Sequence, residues 1–116
     1  MTRYNRQGQP IGPAVANWSG CETIPRTPMR GAICDVVPLE PSHSDDLFAA
    51  YALDTSSQLW TYMTKGPFAS QQQLCDWVSD CADAQDTLFF AVIDKATDKA
   101  IGVVSYLRLQ PENGVV

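Results

Sequence analysis

Apolar and polar positions divide the chain into stretches with different periods. After Thr87 the run Leu-Phe-Phe-Ala-Val-Ile, Leu88 to Ile93, is apolar at every position, which predicts a strand buried on both faces at the centre of a sheet. Asp94-Lys95-Ala96-Thr97-Asp98-Lys99 is a polar turn, and Ala100 to Leu109 is a second strand closing a hairpin. In that strand Ile101, Val103, Ser105, Leu107 and Leu109 alternate with Gly102, Val104, Tyr106 and Arg108. Gly102 inside it predicts a bulge or a close packing contact.

A period of 3.6 governs the segment before the hairpin. Ser70-x-x-Gln73 is a capping box, and Leu74, Trp77, Val78 and Cys81 recur on one face. An amphipathic helix docked on an apolar surface is expected there. A second helix is expected to start at Ser42, with Asp45 as its reciprocal cap and Leu47, Phe48, Tyr51 and Ala52 on a common face. A short helical piece is expected from Ser57 to Met63, broken by Gly66-Pro67. Ala32-Ile33-Cys34-Asp35-Val36-Val37 reads as a first strand, stopped by Pro38 and Pro41.

Residues 1–30 have no sustained period. They contain Pro10, Pro13, Pro25 and Pro28 with Gly8, Gly12 and Gly20, and read as an extended arm pinned to the body by Trp18 and Ile24. The body is expected to span residues 31–116. Pro111-Glu112-Asn113-Gly114 is a turn, and Val115-Val116 looks like the start of a fourth strand. That pattern carries the expectation of a domain truncated at the start of that strand.

Composition narrows the function. The net charge of −5 disfavours a phosphate-backbone partner, and no nucleic acid is expected. No apolar run approaches the ~18 residues of a membrane helix, and no apolar h-region follows the first basic residues. A cytoplasmic protein without membrane contact is expected. The four cysteines form no Cys-x-x-Cys unit and His43 is the only histidine, so no metal site is expected and the cysteines read as reduced, packed residues. His43 is expected to be exposed and idle.

The order of elements and several of these segments resemble one family. Trp60-Thr-Tyr-Met-Thr-Lys-Gly-Pro-Phe68 ends in Gly-Pro-aromatic, Leu74 to Trp77 sits where a second helix packs, and Phe90-Ala-Val-Ile-Asp94 leads through Thr97 to Ile101-Gly-Val-Val-Ser105. Together they resemble the front half of a GNAT-superfamily N-acetyltransferase, of the ribosomal-protein-acetyltransferase-like (Rim-type) branch. The resemblance covers residues 31–116. It implies an α+β fold with a mixed, mainly antiparallel sheet flanked by helices. It implies transfer of acetyl from acetyl-CoA to a primary amine, either a protein N-terminus or a small amine. Trp60, Tyr62 and Phe68 would line the acceptor side of the cleft, and Tyr106 and Arg108 would share a strand face aimed at the acceptor.

The sequence departs from that family in one respect. The pyrophosphate loop, Gln/Arg-x-x-Gly-x-Gly/Ala at a helix N-terminus, is absent, and Gln110-Pro-Glu-Asn-Gly114 has the wrong spacing for it. Such a loop works through orphan amides and the positive end of a helix. This chain alone is therefore expected to hold acetyl-CoA weakly and to be inactive by itself, and no catalytic residue is assigned. Glu112 is expected to be a solvated turn carboxylate. The alternative is a non-enzymatic interaction module that pairs through an exposed sheet edge, forming a homodimer.

Overall fold

The computed structural model describes residues 1–116. The arm opens with a small hairpin: β1, Arg3–Tyr4, pairs antiparallel with β2, Pro10–Ile11. Both strands are exposed. Sheet pairing in the body begins with β3, Met29–Arg30, two residues before Gly31. A bidentate clamp locks this start. The Asp35 carboxylate meets the Arg30 guanidinium at 2.9 Å and accepts the Gly31 N–H at 3.2 Å.

The main sheet runs β3-β4-β5-β6, all antiparallel, with β4 at Cys34–Pro38, β5 at Leu88–Asp94 and β6 at Lys99–Tyr106. The uniformly apolar β5 is central, as expected, with neighbours on both sides. Its residues Phe89, Ala91 and Ile93 face the helices, where Ala91 is wholly buried. Leu88 and Phe90 are buried on the opposite side, and the Phe90 ring meets Tyr106 edge-on at 5.9 Å.

Two helices cover one face. Helix α1 spans Ser44–Tyr51 and α2 spans Gln71–Asp83. Leu47, Leu74, Val78 and Cys81 interlock with Leu39, Ala91 and Ala100 as a single core. This is the stripe the 3.6 period marked on α2, and its cap keeps the Ser70 half of the expected box while Gln73 bonds one residue earlier, at Ala69 instead of Ser70. The Ser70 hydroxyl accepts the Gln73 N–H at 3.2 Å, and the Gln73 side chain reaches back to the Ala69 N–H at 3.1 Å.

Several local features differ from expectation, each with a physical cause. The helix at Ser42 begins instead as a 3-10 turn, Pro41–His43, and turns α-helical only at Ser44. Pro41 fits the first turn because it has no N–H to waste. The reciprocal cap is Glu40 with His43, not Ser42 with Asp45: the Glu40 N–H donates to Nδ1 of His43 at 3.0 Å. His43 is thus half-buried and bonded rather than idle. The piece expected from Ser57 to Met63 is only a single 3-10 turn, Gln58–Trp60, entered through Ser57 in the left-handed region (φ 58).

The second hairpin strand ends at Tyr106, not Leu109. Arg108 adopts φ 54, which an extended strand does not allow, so Arg108 lies beyond β6 and not on its face. Gly102 does mark a bulge. Val92 opposes Gly102 while Ile93 opposes Ala100, leaving Ile101 as the extra residue. The alternation flips there: Ala100 is buried, and Ile101, expected on the same face as Val103, is half exposed. No close contact is made at Gly102, where an added Cβ would meet open space.

The arm bonds to two separate segments of the body, the Pro111–Asn113 turn and the end of α2. The Trp18 indole N–H donates to the Glu112 carbonyl at 2.7 Å, and the Cys21 N–H to the Pro111 carbonyl at 2.8 Å. Arg26 donates to the carbonyls of Ala82 and Ala84, both at 2.8 Å, and so satisfies the last turn of α2. Ile24 is half-buried, as a pinning residue should be. Gln110 and Val115 bond reciprocally across the Pro111–Asn113 turn at 3.0 and 3.1 Å, so Val115 runs antiparallel to Gln110.

Candidate functional site

The loop between α1 and α2 builds a cavity out of aromatic side chains. Tyr51 ends α1, Trp60 ends the 3-10 turn, and Phe68 follows the Gly66-Pro67 pair. The Tyr51 and Trp60 rings meet edge-to-face at 5.0 Å, and Trp60 and Phe68 do so at 5.4 Å. Phe68 continues to Trp77 at 5.2 Å, and Trp77 to Phe89 of β5 at 6.4 Å. This unbroken ladder anchors an otherwise irregular loop to the sheet. Edge-to-face pairs of this kind contribute about 0.5–1.5 kcal/mol each beyond their buried area.

Glycine makes the ladder possible at one point. Gly66 has φ +84, and a Cβ there would enter the six-membered ring of Trp60. The backbone lies flat against the indole because nothing projects from it.

Phe48, Tyr51, Trp60, Pro67 and Phe68 wall a cavity of about 150 Å³, with Asp54 at its polar side. Asp54 is fixed by the loop's own backbone. Its Oδ2 accepts the Leu59 N–H at 2.9 Å, and its Oδ1 accepts the Ser56 hydroxyl at 3.3 Å. The Leu59 amide above all holds this carboxyl below its ordinary range, so it is anionic at neutral pH. Burial pushes the Tyr51 phenol up, so it stays protonated. The walls are therefore neutral and aromatic, and the one charge is a fixed carboxylate. Such an arrangement is suited to recognition.

The residues singled out from sequence fall into three places. Trp60 and Phe68 come together in the cavity, and both are half-buried. Tyr62 does not join them; its side chain stands clear in solvent at 98% exposure. Tyr106 lies on the far face of the sheet against Phe90, and Arg108 sits past the strand end; both border a groove with Val115 and Val116. Sequence reasoning missed Tyr51 and Asp54 as members of the cavity. Tyr51 was legible only as a core position of α1. Asp54, ahead of Thr-Ser-Ser, carries a turn signal and no signal of chemistry.

The helix N-termini do not fit a pyrophosphate. The first turn of α1 carries Asp45 and Asp46. At α2 the Ser70 and Gln73 side chains occupy backbone donors, and Gln71 bonds the Asp45 carboxylate. Neither start has a glycine-rich loop, and the local charge is negative.

Solved structures share this architecture. A GCN5-related N-acetyltransferase from Brucella melitensis aligns with a TM-score of 0.80 and 33% identity, over 86% of this chain and 46% of its own. A probable acetyltransferase of the GNAT family from Chromobacterium violaceum aligns with a TM-score of 0.74 and 26% identity, over 89% of this chain and 52% of its own. The chain thus spans about half the length of these relatives. No protein-family model and no curated protein matches it. Its structural neighbours are GNAT-family acetyltransferases, and the chain has their α+β fold, an antiparallel sheet packed on two helices.

Proposed function

We propose that these 116 residues are the acceptor-side portion of an acetyl-CoA-dependent N-acetyltransferase of the GNAT superfamily, of Rim-type flavour, acting in the cytoplasm on a primary amine. The observation that carries this reading is the 33% identity to the Brucella melitensis enzyme at a TM-score of 0.80, spread over 86% of the chain. The residues present do not fit the acetyl-CoA pyrophosphate, so that site belongs to sequence outside this segment. The whole protein's activity is what the proposal concerns.

Amide formation from a thioester requires a neutral amine held in line with the carbonyl. Within this chain we assign positioning of the acceptor molecule, rather than of its reacting nitrogen, to the loop of Trp60 and Phe68, stiffened by the ladder to Phe89. Tyr62, Tyr106 and Arg108 remain proposed acceptor contacts that do not line the cavity. A thiol-release assay with acetyl-CoA and a panel of small amines and N-terminal peptides, run on the complete reading frame, tests the reading. Acetylated amine, identified by mass spectrometry, is the expected product. No transfer to any amine overturns it.

One observation favours a second reading. The outer edge of β6 pairs with no strand in this chain and exposes Ile101, Val104 and Tyr106. An interaction module pairing through that edge would form dimers. Light scattering on the eluting protein decides it: a clean monomer across the micromolar range rules this reading out.

A further inference from the structure

Beneath the loop, the cavity joins two features that point to one ligand chemistry. Four of its lining residues are aromatic, Phe48, Tyr51, Trp60 and Phe68, and its only charged lining residue is Asp54. Aromatic faces carry negative quadrupole density and attract cations, most strongly at Trp. The Asp54 carboxylate beside them, open to solvent, adds a modest Coulomb attraction. At about 150 Å³ the cavity is on the scale that holds a benzene-sized ligand, so a small alkylammonium group fits. The net charge of −5 favours approach of such a cation.

This chemistry conflicts with the cavity's holding the nitrogen that reacts. An amine attacks a thioester only after losing its proton. Aromatic faces and a fixed carboxylate stabilise the charged form and would hold that proton in place. The cavity therefore suits a cation that does not react.

We infer that the Tyr51–Trp60–Phe68–Asp54 cavity binds a second, non-reacting ammonium group of the acceptor, which makes the substrate class an amine that carries an additional alkylammonium charge. The assignment of that cation to an acceptor rests on the N-acetyltransferase reading above; the binding of an alkylammonium ion does not. The fixed geometry supports recognition without rearrangement. Asp54 is held by Leu59 and Ser56, and Trp60 is wedged between Tyr51, Phe68 and the Gly66 backbone. A quaternary head with no N–H needs no further acceptor from the carboxylate, only its charge.

The test uses tetramethylammonium, which cannot be acylated, and tert-butyl alcohol, a neutral molecule of similar shape. Nitrogen-15 NMR on the 116-residue chain follows the indole signal of Trp60, assigned through Trp60→Phe. The expected result is a saturable shift with tetramethylammonium in the millimolar range, and binding of the alcohol at least about tenfold weaker. Asp54→Asn should weaken the cation about three-fold. Phe68→Leu, which keeps apolar volume but removes a π face, should weaken it several-fold. If Asp54→Asn loses the dispersed spectrum of a folded chain, Phe68→Leu decides. Equal binding of alcohol and cation, unchanged affinity in the folded variants, or no saturable shift overturns the inference. Cation binding by a protein whose complete frame transfers no acetyl would remove the acyltransferase reading and leave the cation site standing.

Discussion

The carboxylate of Asp46, in the first turn of α1, accepts the backbone N–H of Ala100 at 3.2 Å. The bulge at Ile101 lies next to this contact, where the ladder to β5 shifts register. A helix side chain thus completes the hydrogen bonding of a strand and fixes how α1 sits on β6. Asp46→Ala removes the acceptor from a partly buried amide and should cost about 1–3 kcal/mol. Asp46→Asn keeps an oxygen and should cost less than half as much. Urea unfolding checks both: the midpoint should fall with the slope unchanged. An unaltered midpoint in Asp46→Ala would show the bond to be incidental.

Gly66 has no room for a side chain. An alanine there collides with the Trp60 indole and meets an unfavourable positive φ. The expected loss is about 1–3 kcal/mol, with a weakened tryptophan signal in the near-ultraviolet dichroism as the ladder opens. A Gly66→Ala protein with wild-type dichroism and stability would refute this account of the loop.

Arg26 holds the end of α2 from sequence 56 and 58 residues away. Arg26→Ala should speed hydrogen exchange in the last turn of α2 and in the arm, with a stability loss of about 1 kcal/mol. Arg26→Lys should not restore protection, because one ammonium lacks the fork that spans two carbonyls.

The cysteines should separate by reactivity. Cys81 is 6% exposed, and burial first, then the Asp80 charge, push its thiol up to about 11. Cys21 is exposed. An alkylating reagent at mildly alkaline pH should modify Cys21 rapidly and Cys81 only on unfolding. The sign of the linkage follows. The folded thiol is raised above its unfolded value of ~8.5, so this contribution is complete below that pH. It is then lost as pH climbs toward about 11. Mass mapping of labelled peptides checks the first point, and unfolding midpoints across that range check the second.

Acetyl-CoA should bind the isolated chain no more tightly than about millimolar, since both helix N-termini are acidic or already capped. Titration calorimetry measures this directly. Micromolar binding would mean that a phosphate site exists which the fold does not display.

The sequence by itself determined the parts that local periodicity controls. The alternation-free run Leu88–Ile93 reads as a central strand, and the Leu74, Val78 and Cys81 stripe as a core-facing one, and both readings hold. Both depend on side chains a few residues apart, which the chain lists in order. The tertiary structure alone decided features that join distant segments. Ile101 left the core face because β5 and β6 slip by one residue at a bulge. Arg108 left the strand because its backbone turned left-handed. Tyr51, Asp54, Trp60 and Phe68 came together because a loop folded back over Gly66, while Tyr62, inside the same motif, was left in water. Contact across a loop is set by backbone turns and ring packing, and neither has a sequence period.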